Sequence, residues 1–507
     1  MRHMRISRLF LLLALAAAAA CTKPVPGVCC VGEADCARLG VDEPRPCAVG
    51  QACRDFACVA AECATAADCT SPDAPACVDH LCVTRCGIDD DCAGAADGPR
   101  CAEDGACVGC LADADCPASA PLCDAEDRRC RGCELDAECA SGVCIEADAV
   151  CAEPGQIIYV KDSGTDTGGC TSAAPCQTIS YALQQVMLTR NVIRVADGIF
   201  ATPISPITID RTVMIDGAGA TTIVKPANMP LLRVEASAGV VTFEGFTVLG
   251  STNPSDPTIT VSSGSLLRVV RSVLDTARID VLNGGLQLGD LRVTTSLQTL
   301  KAVSCSNGSV NIRAVDFQRT TIDTMNCQLN VSRSRFDEVV GGSILAQGGI
   351  AIIENNLLVD SYELADLMSV GNLAPGSAIR FNTFVNTSGV SSDGAALSCD
   401  GTPAVTSNIF AYGSAHPMGQ AGGTPCPARF SLFDSVAIAQ HTAGEGNRTG
   451  DPATFFADRT SRDFHLSPAS PAREAAEGGL PVMEDLERHR RPTPAGSRAD
   501  AGCFEAP

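Results

Sequence analysis

Ile353-Glu354-Asn355-Asn356-Leu357-Leu358, Ile379-Arg380-Phe381-Asn382-Thr383-Phe384 and Val405-Thr406-Ser407-Asn408-Ile409-Phe410 are three copies of one phrase. An apolar residue opens it, an asparagine follows three places on, and an apolar residue closes it. With the asparagine position left variable, the same frame fits Phe243/Phe246/Val248, Val269/Ser272/Leu274, Leu288/Leu291/Val293, Ile312/Val315/Phe317, Val331/Ser334/Phe336 and Ala428/Ser431/Phe433. The closing residue recurs at steps of 26, 19, 24, 19, 22, 26, 26 and 23. Short strands at such a period mark a solenoid, each coil laying its strand on the one before. Like residues then stack in columns, and Asn356, Asn382 and Asn408 share one, with Ser431 following. Stacked amides hydrogen-bond from coil to coil, and a buried amide left without partners is costly. The asparagine ladder therefore reads as structural.

The flanks of this region carry a resemblance. Ile157-Ile158-Tyr159-Val160, Gly164-Thr165-Asp166, Ala174-Pro175-Cys176-Gln177-Thr178-Ile179 and Ala182-Leu183 look like the opening of bacterial surface right-handed β-helix proteins, with Cys176 in place of the usual aromatic. Asp463-Phe464-His465-Leu466-Ser467-Pro468, Ser470-Pro471, Asp485, Arg491-Pro492 and Asp500-Ala501-Gly502-Cys503-Phe504-Glu505 resemble their closing segment. The resemblance implies the pectate-lyase-like fold, an all-β right-handed parallel β-helix over residues 156–437 closed by 438–507. Fold does not fix function. Within such coils Cys170 and Cys176 are expected to pair. Cys305 with Cys327 and Cys399 with Cys426 lie one coil apart, within disulfide reach of neighbouring strands. Cys503 is left over.

The N-terminus reads as an address. Arg2, His3, Arg5 and Arg8 precede an unbroken apolar run from Leu9 to Ala20. That run has the length of a signal-peptide core and is short for a permanent membrane span. It ends Ala18-Ala19-Ala20-Cys21, which resembles the lipobox of bacterial lipoproteins. The resemblance implies a signal peptide over residues 1–20, an acylated Cys21 and contact with membrane only through that anchor. Thr22 stands where an Asp would imply retention at the inner membrane, so outer membrane or cell surface is expected.

Residues 21–155 are a different material. Cys29 to Cys151 holds 22 of the chain's 30 cysteines. Cys30-x5-Cys36, Cys63-x5-Cys69, Cys86-x5-Cys92, Cys110-x5-Cys116 and Cys133-x5-Cys139 open five units, each with an acid before the second cysteine: Asp35, Asp68, Asp91, Asp115 and Glu138. Units with so few large apolar residues cannot bury a core, and exported modules of this kind are held by disulfides. Sequence alone does not fix the pairing. The cysteines lack the grouped ligand sets of zinc sites, and His80 is the only histidine among them. The repeated acids could ligate Ca²⁺; a turn-capping role is the simpler reading.

The chain carries a net charge of −22, and residues 21–155 hold 26 acidic against 9 basic side chains. That balance argues against nucleic acid and against anionic membrane as partners. On the coils, one outward column reads Glu244, Val270, Gly289, Arg313, Ser332, Glu354, Arg380, Thr406, Arg429, and its neighbour Thr242, Arg268, Gln287, Asn311, Asn330. Arg313, Glu354 and Arg380 are the candidate catalytic residues, since a lyase can use arginine as base; a hydrolase needs two carboxylates at a set separation, which the column does not offer. A cross-coil ion pair is the plainer account of Glu354 and Arg380. No histidine-glycine motif or Ca²⁺-binding nonapeptide array is present; His416, His441 and His465 are isolated, and tryptophan is absent. No metal or cofactor is called for beyond a role Ca²⁺ could fill. The expected function is display of an elongated face for polysaccharide or surface-protein binding, the alternative a polysaccharide lyase, hydrolase or epimerase.

Overall fold

The computed structural model describes residues 47, 51–54, 57–62, 76–78, 81–83, 88–92, 98–146 and 148–506, apart from loop positions 202–205, 220–221, 226–229, 252, 254, 298–299, 363–365, 388–393, 401–402, 414–416, 421–425, 438–441, 481, 483 and 494. The segment expected to be a signal peptide, Cys21, His80, His416 and His441 lie outside the described residues. The chain divides into two compact units, Met1–Cys151 and Ala152–Pro507. No helix of the described residues is long and apolar enough to cross a membrane.

The described residues of the first unit form two-stranded antiparallel hairpins, among them Arg100–Cys101 with Cys107–Val108, Leu122–Asp124 with Arg129–Arg131 and Cys144–Ile145 with Val150–Cys151. In the last two repeats the first cysteine bonds the third and the second bonds the fourth: Cys110–Cys123 with Cys116–Cys130, and Cys133–Cys144 with Cys139–Cys151. The acid before the second cysteine caps the turn ahead of it. Asp115 Oδ2 accepts the N–H groups of Leu111 and Ala112 at 2.8 and 3.0 Å, and Glu138 Oε2 those of Glu134 and Leu135 at 2.7 and 3.0 Å. Arg131 and these N–H groups hold the Glu138 carboxyl down to about 2. A second acid two places earlier ties the turn to the hairpin, with Asp113 accepting from Cys123 N and Asp136 from Cys144 N. The regularity of the acids thus has a backbone cause, since a buried or crowded N–H needs a partner.

The second unit is a parallel β-helix. A 22-stranded sheet turns a corner and forms two walls; a 10-stranded sheet forms the third. The first wall runs through Val240–Glu244, Leu266–Val270, Ser309–Arg313, Ala351–Glu354, Ala378–Arg380 and Ala404–Thr406, the second through Thr247–Leu249, Val273–Asp275, Leu357–Val359, Thr383–Val385 and Ile409–Ala411. The third includes Ile259–Val261, Ile279–Leu282, Ile344–Gln347 and Leu397–Cys399. The last parallel strand, Arg448–Gly450, pairs with Leu432–Asp434, so the coils continue past residue 437.

Alternation decides what fills the interior. Phe243, Val269, Leu288, Ile312, Val331, Ile353, Ile379 and Val405 are in register and buried. Across the corner, Phe384 stacks on Phe410 and Phe410 on Phe433 at 5.0 and 4.9 Å between ring centroids. Each such buried ring contributes on the order of 2–3 kcal/mol from burial alone. The corner is turned by one residue in the left-handed region: Gly245, Arg271, Asp290, Ala314, Arg333, Asn355, Phe381, Ser407 and Phe430, with φ between 45° and 70°. The residue after it supplies the ladder. Asn356 Nδ2 donates to Asn382 Oδ1 at 3.0 Å, and Asn382 Nδ2 to Asn408 Oδ1 at 3.1 Å. Ser334, Ser431 and Asn447 extend the ladder at its ends through Ser334 N to Asn356, Asn408 N to Ser431 and Ser431 N to Asn447. These bonds hold a conformation that side chains disfavour by about 1–2 kcal/mol per residue.

The chain after Gly450 folds back along the outside of the second wall. Phe456, Phe464, Leu466 and Phe504 pack on Leu357, Val359, Val385, Ile409, Ala411 and Leu432. Those wall residues point away from the helix interior and are apolar because they are buried on both faces. Arg491 lies over the Phe381 ring at 4.6 Å and donates to the carbonyls of Asp500 and Gly502 and to Glu505. This ties the end of the segment to the corner column.

Candidate functional site

The register places Glu244, Val270, Gly289, Arg313, Ser332, Glu354, Arg380, Thr406 and Arg429 in one outward column of the first wall, beside the left-handed corner. Alternation gives them their direction: each follows an inward residue of the core. The next outward column holds Thr242, Arg268, Gln287, Asn311 and Asn330, with Arg268 Nε donating to Gln287 Oε1 at 2.9 Å.

Of the three candidate residues, Glu354 and Arg380 meet, Nε to Oε2 at 2.9 Å, with side chains 24% and 18% exposed. Arg313 stands two coils from Glu354 with Ser332 between, and its side chain is 61% exposed. Its nearest acid is Glu484 of the closing segment, at 3.8 Å. Farther along, Glu477 accepts from Thr406 Oγ1 at 2.8 Å and lies 3.6 Å from Arg429. The closing segment therefore adds two acids to this edge, Glu477 and Glu484. Sequence reading did not find Glu477 or Glu484, because their partners lie 71 and 151 residues away and no local pattern announces such a contact.

Glu484 also accepts from Arg333 at 2.8 Å. Arg333 is buried in the corner column, and its Nε has no partner; Asn355 Oδ1 on the next coil is likewise without one. Burial, with Arg313 and Arg488 nearby, holds Arg333 below its ordinary value, against Glu484 and Asp290.

The expected cysteine pairs are brought together. Disulfides join Cys170 to Cys176, Cys305 to Cys327 and Cys399 to Cys426. Cys503 is a buried thiol that burial pushes up to about 12. Asn356, Asn382 and Asn408 are buried, and each Nδ2 has two acceptors, with Val331, Ile353 and Ile379 providing the carbonyls. No amide of the ladder is left over for a ligand. His465 sits in the closing segment, 2.6 Å from Asp463 and 3.0 Å from Glu487, against Phe504.

The third wall carries a polar column that sequence reading passed over: Thr208, Arg233, Thr260, Asp280, Ser304 and Asp323. Asp280 is paired with Arg278 at 2.7 Å and Asp323 with Lys301 at 2.5 Å. Its strands show outward alternation of the same kind as the first wall. They were missed because they lack the asparagine phrase that sets the phase.

Neither a family model nor a curated protein matches the chain. Among solved structures it is similar to tailspike protein 3 of bacteriophage CBA120, at 11% identity and a TM-score of 0.36 over 61% of this chain and 54% of that one. It is also similar to pectate lyase Pel9A, at 12% identity and a TM-score of 0.34 over 74% of this chain and 100% of that one. The catalytic domain of a GH87 α-1,3-glucanase in complex with nigerose matches at 11% identity and a TM-score of 0.28, over 63% of this chain and 69% of that one. The chain spans about half the length of the tailspike that it matches.

Proposed function

We propose that the chain is a lipid-anchored protein of the bacterial outer membrane or cell surface, whose β-helix presents an extended wall for glycan or protein binding. The observation that carries the binding reading is the composition of the first wall's outward columns. Arg268, Gln287, Asn311, Asn330, Ser332 and Arg313 offer hydrogen-bond donors and amides along successive coils, and the carboxylates beside them are engaged by arginines: Glu244 by Arg271, Glu354 by Arg380 and Glu484 by Arg333. Such a surface can orient a polymer. It lacks two carboxylates facing one another across a substrate.

The anchor is supported by cysteine parity. The chain has 30 cysteines and Cys503 is unpaired, so at least one more has no partner within the chain. Cys21, at the lipobox-like Ala18-Ala19-Ala20-Cys21, is the residue that acylation would remove from the count.

A second reading, a polysaccharide-active enzyme, draws on the third wall. Asp280 and Asp323 share a column with Ser304 between them. Two coil steps of about 4.8 Å place them near the separation of about 6.5–9.5 Å used by inverting glycosidases. Their engagement with Arg278 and Lys301 favours the binding reading. Affinity electrophoresis of the chain through gels containing different polysaccharides, or an envelope extract, tests it. Retardation in at least one gel is expected; uniform mobility in all of them would remove its basis.

A further inference from the structure

Three guanidinium groups converge where the closing segment crosses the corner column. Arg333 Nη1 is 2.8 Å from Glu484 Oε2, and Arg313 Nη2 is 3.8 Å from the same oxygen. Arg488 reaches Asp290 at 3.3 Å, and both of those side chains are more than 60% exposed. Glu484 is therefore shared by two arginines, one of them buried. The buried one, Arg333, is 7% exposed and keeps a bare Nε, while Asn355, which donates to the Glu484 carbonyl at 2.7 Å, keeps a bare Oδ1. Buried polar atoms are nearly always partnered. A guanidinium is built to grip an oxyanion with two donors at once. Here a single carboxylate oxygen serves two of them.

We infer that this seam is a binding site for an oxyanion carried by a ligand, a carboxylate or sulfate of an acidic polysaccharide, and that Glu484 is its intramolecular occupant in the ligand-free chain. The inference rests on the proposed binding function of the first wall and gives it a chemistry. Arg313 and Arg488 are the open side of the site, and Arg333 is its floor. A ligand anion entering between Arg313 and Arg488 competes with the Glu484 side chain. Because the site lies at the edge of the polar columns, a polymer following Asn311 and Asn330 along the wall would meet it with one charged group.

Isothermal titration of the full chain with polygalacturonate, dextran sulfate and neutral dextran tests this. The carboxylated and sulfated polymers distinguish the two anion types. Binding of at least one and not of dextran is expected, weakening with salt. Arg313→Ala and Arg488→Ala each weaken it about tenfold, the scale of one charge-assisted contact, and Arg128→Ala, an exposed cation of the first unit, leaves it unchanged. Glu484→Gln strengthens it by about the same factor. Both arginines are exposed enough for their variants to keep the fold, so the test does not depend on the Glu484 variant. Equal binding of dextran, or anionic binding indifferent to Arg313 and Arg488, overturns the inference and leaves the wall's binding function standing. Absence of binding to any of these, together with uniform gel mobility, overturns both.

Discussion

Arg380 Nε stands 2.9 Å from Oε2 of Glu354, one coil below, and both side chains are largely covered. The contact is that of a cross-coil staple. Partly exposed pairs of this kind contribute about 1 kcal/mol or less. Arg380→Met is expected to lower unfolding stability by no more than that and to leave polysaccharide handling unchanged. All four tyrosines, Tyr159, Tyr181, Tyr362 and Tyr412, lie in the second unit, so tyrosine fluorescence in urea reports on the β-helix alone. Loss of a polysaccharide-cleaving activity in this variant would contradict the staple reading.

The ladder should be far less forgiving. Asn382 accepts from the backbone N–H and the Nδ2 of Asn356, and donates to Ile353 O and Asn408 Oδ1. Asn382→Ala strands several buried groups at once, each at about 1–3 kcal/mol. A loss of roughly 3 kcal/mol or more is expected, against about 1 kcal/mol for Asn447→Ala at the half-buried end rung. Equal effects at the two positions would mean that the ladder does not hold the corner.

Strand phase, inner columns and ladder could be read from residue order because one repeated phrase ties them to burial. Val331, Ile353, Ile379 and Val405 are apolar for the same reason that Asn356, Asn382 and Asn408 are amides: each occupies a fixed station on a coil. The left-handed corner could not be read. Arg271, Phe381 and Phe430 occupy a conformation their side chains disfavour, and only the stacked neighbours impose it. The apolar outward residues Leu357, Val385 and Ile409 mark strands buried on both faces without saying what covers them. For the candidate site, the column and its own acids Glu244 and Glu354 were legible; Glu477 and Glu484 were not, since they arrive from a segment without periodic pattern. In the cysteine repeats the units were legible, and the first-to-third, second-to-fourth pairing of the last two emerged only from the hairpins.

His465 makes the closing segment sensitive to pH. Burial pulls its pKa down, but hydrogen bonds to Glu487 and Asp463 outweigh burial and hold it above the ordinary histidine value. Asp463, hydrogen-bonded to His465, is held below the ordinary carboxylate value. The folded state thus binds the histidine proton more tightly than the unfolded state does. That contribution is complete below about pH 6 and is lost as pH rises through the raised value. The Asp463 contribution is lost instead as pH falls below about 4. Thermal unfolding followed by tyrosine fluorescence should give a higher midpoint at pH 5.5 than at pH 8, with His465→Asn reducing the difference. A midpoint that climbs from pH 5.5 to 8 in the parent and not in the variant would reverse the assigned sign.

Cys503 is buried and its thiol is pushed up to about 12, so alkylating reagents should spare it in the native chain. Thiol titration of the mature chain in denaturant without reductant should find a single reactive group if Cys21 is acylated. Two groups would leave Cys21 or another cysteine free and contradict the anchor. Cys21→Ser should move the protein from the membrane fraction to the soluble one.

The binding account is tested most directly by incubating residues 22–507 with a broad panel of polysaccharides, with and without Ca²⁺, and following polymer length by size-exclusion chromatography. Polymers that co-migrate with the protein at unchanged length are the predicted result. Shortened chains would contradict it and direct attention to Asp280 and Asp323 on the third wall and to Arg313, Glu354 and Arg380 on the first.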